Sequence, residues 1–211
     1  MSIYIVLDLE MCKVPRTARQ SFPASRELIQ IGAVAMDENY QIIDTFMTYV
    51  NPEYGVLDKQ IERLTGITFK HIQGAPKASQ ALSAFYNWMP EDAILVTWSE
   101  NDIYQIEDEL DLKNIDIPEF YDLLDTYIDC QEIFSDKMNN DRAYRLSEAL
   151  IIADIDFDEN IHDALVDAKN TALLFEKTQR EDVLLLNLYL ITEDQYTERM
   201  QGRFGTPCYS N

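Results

Sequence analysis

The segment Ile3-Tyr4-Ile5-Val6-Leu7-Asp8-Leu9-Glu10 narrows the possible folds of this chain more than any other. An apolar, β-branched run of this kind reads as a strand buried on both faces, as at the centre of an α/β sheet. Asp8 and Glu10 stand two apart at its end, so both carboxylates point to one face. That carboxyl edge is where open α/β sheets place their sites. On an edge strand an acid pair is an ordinary solvated face, but this run is too hydrophobic for an edge. Two carboxylates forced together near a buried strand end repel unless a cation lies between them. Hard divalent ions with oxygen ligands, Mg²⁺ or Mn²⁺, resolve that repulsion.

Further along, Leu28 to Met36 and Gln41 to Val50 flank Asp37-Glu38-Asn39-Tyr40 and read as a hairpin. Spacing predicts helices over 58–66, where Ile61 and Leu64 lie three apart, and over 76–89, where Ala78, Leu82, Phe85 and Met89 recur. Pro76 suits a first turn and Pro90 a stop. Ala93 to Trp98 reads as another short buried strand. An acidic helix over 102–112, a short strand over 127–130 and helices over 146–152 and 162–177 follow. Three strands and then an α/β alternation imply a mixed sheet flanked by helices.

The longest apolar stretches, Ile3 to Leu7 and Val183 to Ile191, fall short of the roughly 18 residues a membrane helix needs. Met1-Ser2-Ile3-Tyr4 lacks the basic start of a signal peptide, and Asp8 falls where its apolar core would lie, so a cytoplasmic location is expected. Cys12, Cys130 and Cys208 are odd in number, far apart and without a Cys-x-x-Cys pair. Reduced thiols are expected rather than a disulfide framework or a thiolate zinc site.

The formal charge of −21 argues against a protein that coats duplexes. Its distribution is uneven: Asp and Glu number fifteen between Glu91 and Asp136, where Lys113 is the only base. Lys13, Arg16, Arg19 and Arg26 fall in a stretch free of acids, and Lys59, Arg63, Lys70 and Lys77 share theirs with Glu62 alone. In the first of these, Arg16, Arg19 and Arg26 are phosphate-binding candidates or simply a solvated loop.

The remaining chemistry lies late in the chain, in His162-Asp163-Ala164-Leu165-Val166-Asp167. Five steps turn about 500°, so His162 must project from the loop or first turn before a helix that carries Asp167. The other histidine, His71, reads as a surface or capping residue.

Asp8-x-Glu10, Asp102 after the strand ending in Trp98, and His162-x4-Asp167 opening a late helix together resemble the DEDDh branch of the DnaQ-like 3'-5' exonuclease superfamily. The intervening segments Glu27-Leu28-Ile29-Gln30-Ile31-Gly32-Ala33-Val34, Tyr49-Val50-Asn51-Pro52, Leu64-Thr65-Gly66-Ile67-Thr68 and Ala75-Pro76 are similar too. Cys12 and Leu64-Thr65-Gly66-Ile67 resemble in particular the subgroup of the histone-mRNA-end exonuclease and the KapD-type proteins. The sister branch would need Tyr at position 163, where this chain has Asp163. Two departures are Ser99, where many relatives have Gly, and Gln30, where they often have Glu.

The resemblance implies a ribonuclease H-like α/β fold, a five-stranded mixed sheet flanked by helices. Residues 1–178 would be the exonuclease domain, with 179–211 packing on it or mediating association. Asp8, Glu10, Asp102 and Asp167 would hold two Mg²⁺ or Mn²⁺ ions, and His162 would be the general base. The substrate would be the 3' end of single-stranded RNA or DNA, RNA preferred, with nucleoside 5'-monophosphates released. Leu64 and Ile67 would wedge against terminal bases, and the main chain at Met11 and Cys12 would contact the terminal ribose. Leu64 at three from Ile61 is equally what a core helix shows. A DNA-directed proofreading or repair exonuclease, a catalytically quiet binding module on the same fold, and a binder of basic proteins are the other readings.

Overall fold

The computed structural model describes residues 2–139, 141–158 and 160–180. The first run forms β1 (Ile3–Lys13), which pairs antiparallel with β2 (Arg26–Met36), and β2 pairs antiparallel with β3 (Ile42–Tyr49). On its other side β1 runs parallel to β4 (Ala93–Thr97), which is followed outward by the two-residue β5 (Ile128–Asp129). The order β3-β2-β1-β4-β5 makes β1 central in a five-stranded mixed sheet of the ribonuclease H-like type.

Alternation along β1 sorts its side chains between two cores. Ile5, Leu7 and Leu9 pack with α3 (Ala78–Trp88), α4 (Asn101–Leu112) and α5 (Pro118–Leu124). Val6 packs on the opposite face with α6 (Cys130–Lys137), α7 (Leu146–Ile152) and α8 (Ala164–Arg180). Phe85 and Phe120 anchor the first layer, Phe134 and Phe175 the second, each worth about 1.5–3 kcal/mol on full burial. The same parity turns Asp8 and Glu10 toward α8. A smaller cluster joins α1 (Lys59–Thr65) and α2 (Phe69–Ile72) to the end of β1 through Ile61, Ile67, Ile72 and Cys12.

Three helices escape sequence periodicity. α5 buries only Phe120 and Leu124, α6 little more than Cys130 and Phe134, and α2 is a single turn, too few apolar positions to repeat. The late helix begins at Ala164 because His162 stands at φ +71° and the Asp163 carboxylate accepts the Leu165 and Val166 N–H groups at 3.1 and 3.2 Å. α8 continues through the 178/179 boundary to Arg180, and Val183 to Ile191 and Cys208 lie outside the described residues. Cys12 and Cys130 are buried and free, and burial, then Glu27, pushes the Cys12 thiol up to about 12. No helix among the described residues is long and apolar enough to cross a membrane.

Candidate active site

β1 extends past the end of β4, whose partners on it stop at Leu7. Asp8 and Glu10 therefore lie on an overhang of the central strand, and its β4-facing edge is open to other groups. The Asp102 carboxylate, at the start of α4, takes the Leu9 N–H there. Competing acids nearby are committed elsewhere: Glu100 accepts the Tyr104 hydroxyl at 2.9 Å, and Glu109 is buried against Lys113.

Asp167 arrives from the first turn of α8, and two residues of β2 explain why α8 sits so close. Gly32 is the cross-strand partner of Asp8, and a Cβ there would lie 2.2 Å from the main-chain carbon of Ala164 and the nitrogen of Leu165. Any larger residue would push the helix away. Gln30, fully buried, accepts the Ala164 N–H at 3.1 Å and donates to the Asp163 carboxylate at 3.3 Å. The sequence showed Gln30 only as a departure from Glu and Gly32 only as part of a family-like segment, with no role for either. The available signal was a lone glycine inside an apolar strand.

His162 is tied to the same anchor. Its main-chain N–H donates to Asp167 Oδ2 at 2.8 Å, whereas Asp167 Oδ1 is buried without a hydrogen-bond partner. Ligand atoms of Glu10, His162 and Asp167 lie within 4.8 Å of one another. Burial, reinforced by Asp167 and Asp102, lifts the Glu10 carboxyl to about 8. Asp102 is raised to about 7 by burial, although the Leu9 N–H and Arg26 act against it. Burial and then Asp102, Asp167 and Glu10 hold Asp8 well above the ordinary carboxylate range, and burial raises Asp167. A converging set of oxygen donors, one of them orphaned, suits a hard divalent cation.

The family model described as exonuclease, RNase_T, matches residues 5–175. The chain belongs to the exonuclease family. Enzymes of this family depend on divalent metal. The chain is 27% identical over 174 residues to the DNA polymerase III subunit epsilon of Buchnera aphidicola, covering 81% of this chain and 68% of that protein. It is 28% identical over 200 residues to the ERI1 exoribonuclease 2 of Danio rerio, covering 83% of this chain and 35% of that one. A solved structure of a 3'-exonuclease recognising the histone mRNA stem-loop superposes with a TM-score of 0.71 at 22% identity, over 82% of this chain and 62% of that chain. That likeness shows the fold.

The substrate-side residues of this exonuclease divide. Leu64 on α1 is 48% exposed, so it is not the core residue its spacing from Ile61 allowed. Ile67 is 2% exposed and packs with Cys12, Ile29, Ile61 and Ile72, which corrects the expectation that its side chain meets a base. The Cys12 side chain is likewise buried, leaving only its main chain to consider, and Met11 is partly buried at the bulge in the β1–β2 pairing after Glu10. Arg16 and Arg19 are exposed on the loop between β1 and β2, where Arg19 Nε reaches the Val14 carbonyl at 3.4 Å. Arg26, by contrast, lines the cleft that contains His162 and Asp167. Ser99, the departure from Gly, lies on that cleft wall, where Asn101 donates to its hydroxyl at 3.0 Å. His71 caps α2, its Nδ1 accepting the Thr68 N–H at 3.1 Å, and its ring stacks on Tyr49.

Proposed function

We propose that this exonuclease removes nucleotides from the 3' end of single-stranded nucleic acid, RNA preferred, and releases nucleoside 5'-monophosphates. One observation carries the reading: four carboxylates from β1, α4 and α8 converge beside His162 with Asp167 Oδ1 unsatisfied. Two ions of the Mg²⁺ or Mn²⁺ class, when bound, would supply activation of the attacking water and stabilisation of the leaving 3'-oxygen. Asp8 and Glu10 would hold them from the strand, Asp102 from α4 and Asp167 from α8. His162 takes the proton of the attacking water at an imidazole nitrogen, a role imidazole fills near neutral pH. Because Asp167 Oδ2 also holds the His162 main chain, base and ligand share one anchor and keep their spacing.

On the other side of the acids, the exposed Leu64 offers an apolar surface for a terminal base, and the overhanging main chain at Met11 and Cys12 suits the terminal ribose. The likeness to an exoribonuclease supports RNA, and the likeness to a polymerase epsilon subunit supports DNA as the second reading. The test is a 5'-labelled single-stranded RNA and its DNA copy, each with Mg²⁺, Mn²⁺ or EDTA. A ladder shortening from the 3' end with either metal, faster on RNA and absent in EDTA, is expected. Faster cleavage of the DNA copy would favour the second reading, and degradation that persists in EDTA would overturn the metal mechanism.

A further inference from the structure

We infer that Arg26, Arg142 and Arg145 form a phosphate track that holds the strand upstream of the scissile bond, an inference that rests on the function proposed above. The cleft holding His162 and Asp167 has a volume of about 1230 Å³, more than the roughly 300–1,000 Å³ that encloses a drug-sized ligand. It has room for more than the nucleotide being removed. All three arginines line it, in a chain whose formal charge is −21. Cations lining a cleft in an otherwise acidic molecule focus the field where a polyanion must enter.

The segment carrying Arg142 and Arg145 is built rather than loose. Trp98 Nε1 and Gln131 Nε2 both donate to the Tyr144 carbonyl, at 3.1 and 2.7 Å, and Ser135 Oγ donates to the Arg142 carbonyl at 2.8 Å. The Tyr144 ring is buried edge-on against Phe134, and the Arg142 guanidinium lies 4.7 Å over its centroid. Glu148 accepts from Arg142 Nη2 at 2.6 Å. Arg145 is exposed at the mouth of α7.

The direction of the strand follows from the layout. Leu64 is exposed on α1, which packs through Ile61 with Cys12 and Ile29 on the β1–β2 side, and it is no part of the cleft wall. The arginine segment joins α6 to α7 and is held against Trp98, just after β4. A strand with its 3' base at Leu64 and its scissile phosphate at the acids leaves along Arg142 and Arg145.

The test compares Arg145→Ala, Arg142→Ala/Arg145→Ala and Arg145→Lys with the wild type, on a single-stranded RNA decamer and a dinucleotide in Mn²⁺. Folding is checked by thermal melting. In Arg145→Ala the decamer's KM should rise about fivefold or more, so that its advantage over the dinucleotide shrinks, and Arg145→Lys should keep most of it. The slope of log Kd against log salt should shallow by about 0.7 for each phosphate left without its arginine. Wild-type decamer KM and salt slope in the double variant would overturn the track. So would equal effects on dinucleotide and decamer, which would make these residues supports of the site. If the wild type degrades neither substrate, the proposed function falls and the track with it.

Discussion

Two clusters of buried carboxylates sit within the same fold and are satisfied in opposite ways. Glu27 and Glu109 are fully buried and share Lys113, whose Nζ lies 2.6 Å from one and 2.7 Å from the other. Glu27 also accepts the N–H groups of Glu53, Tyr54 and Gly55, and Glu109 accepts the Leu28 N–H and Gln105 Nε2. Burial lowers the Lys113 ammonium, but Glu109 and Glu27 outweigh it and leave it raised. Asp8, Glu10, Asp102 and Asp167 have no ion pair with Lys or Arg among the described residues, and one of their oxygens lacks any partner. A buried carboxylate with an internal cation ties loops together. A group of them without one is arranged for a cation from outside.

Changes to the two clusters should therefore have different signatures. The largest effect on rate is expected from Asp102→Asn, which should lose about 10⁴-fold or more. The same variant should melt higher than wild type in EDTA, because a like charge leaves the cluster. A rate loss under tenfold would mean that Asp102 is the wrong acid. His162→Ala should lose roughly 10²–10⁴ in rate yet bind Mn²⁺ as the wild type does by calorimetry, and loss of that affinity would make it a ligand instead. Gly32→Ala must displace the main chain of α8 and carry Asp167 and His162 with it. It should cost about 10²-fold in rate and about 1–3 kcal/mol in stability. Lys113→Met should leave the rate nearly intact below its melting temperature while costing about 3–5 kcal/mol, since two buried carboxylates lose their partner. Mn²⁺ should not restore that stability, and restoration would erase the distinction between the clusters.

The apolar run before Asp8 marked the central strand, and the strand beginning at Ala93 put Asp102 at a strand exit. Those features are local, so they were legible. The two acid clusters were not separable by residue type: Glu109 and Asp102 lie seven apart on one helix, and although Lys113 reaches Glu109 locally at i+4, only the fold brings it to Glu27. The burial of Ile67 and the exposure of Leu64, three apart, depend on how α1 meets Cys12 and Ile29, which are distant from it in the chain. Gln30 and Gly32 act through a helix over 130 residues later, as the Gln30–Ala164 bond illustrates. Arg26 was a candidate from its basic stretch, whereas Arg142 and Arg145 lay in a stretch with no periodicity, and only the bonds to Tyr144 and Arg142 main-chain oxygens reveal that this segment is held.

The most direct test of the difference between the clusters is the melting temperature as a function of pH, with EDTA and with Mn²⁺. Glu10 and Asp102 titrate near 8 and 7 in the folded protein, above the roughly 4 of the unfolded chain. Between those values the folded state binds more protons, so stability must fall as pH rises. In EDTA the melting temperature should therefore drop from about pH 5 to pH 8, and saturating Mn²⁺ should raise it most at the upper end, where the carboxylates are free of protons. A flat EDTA profile that Mn²⁺ leaves unmoved at pH 8 would contradict the claim that this cluster is arranged around an external cation.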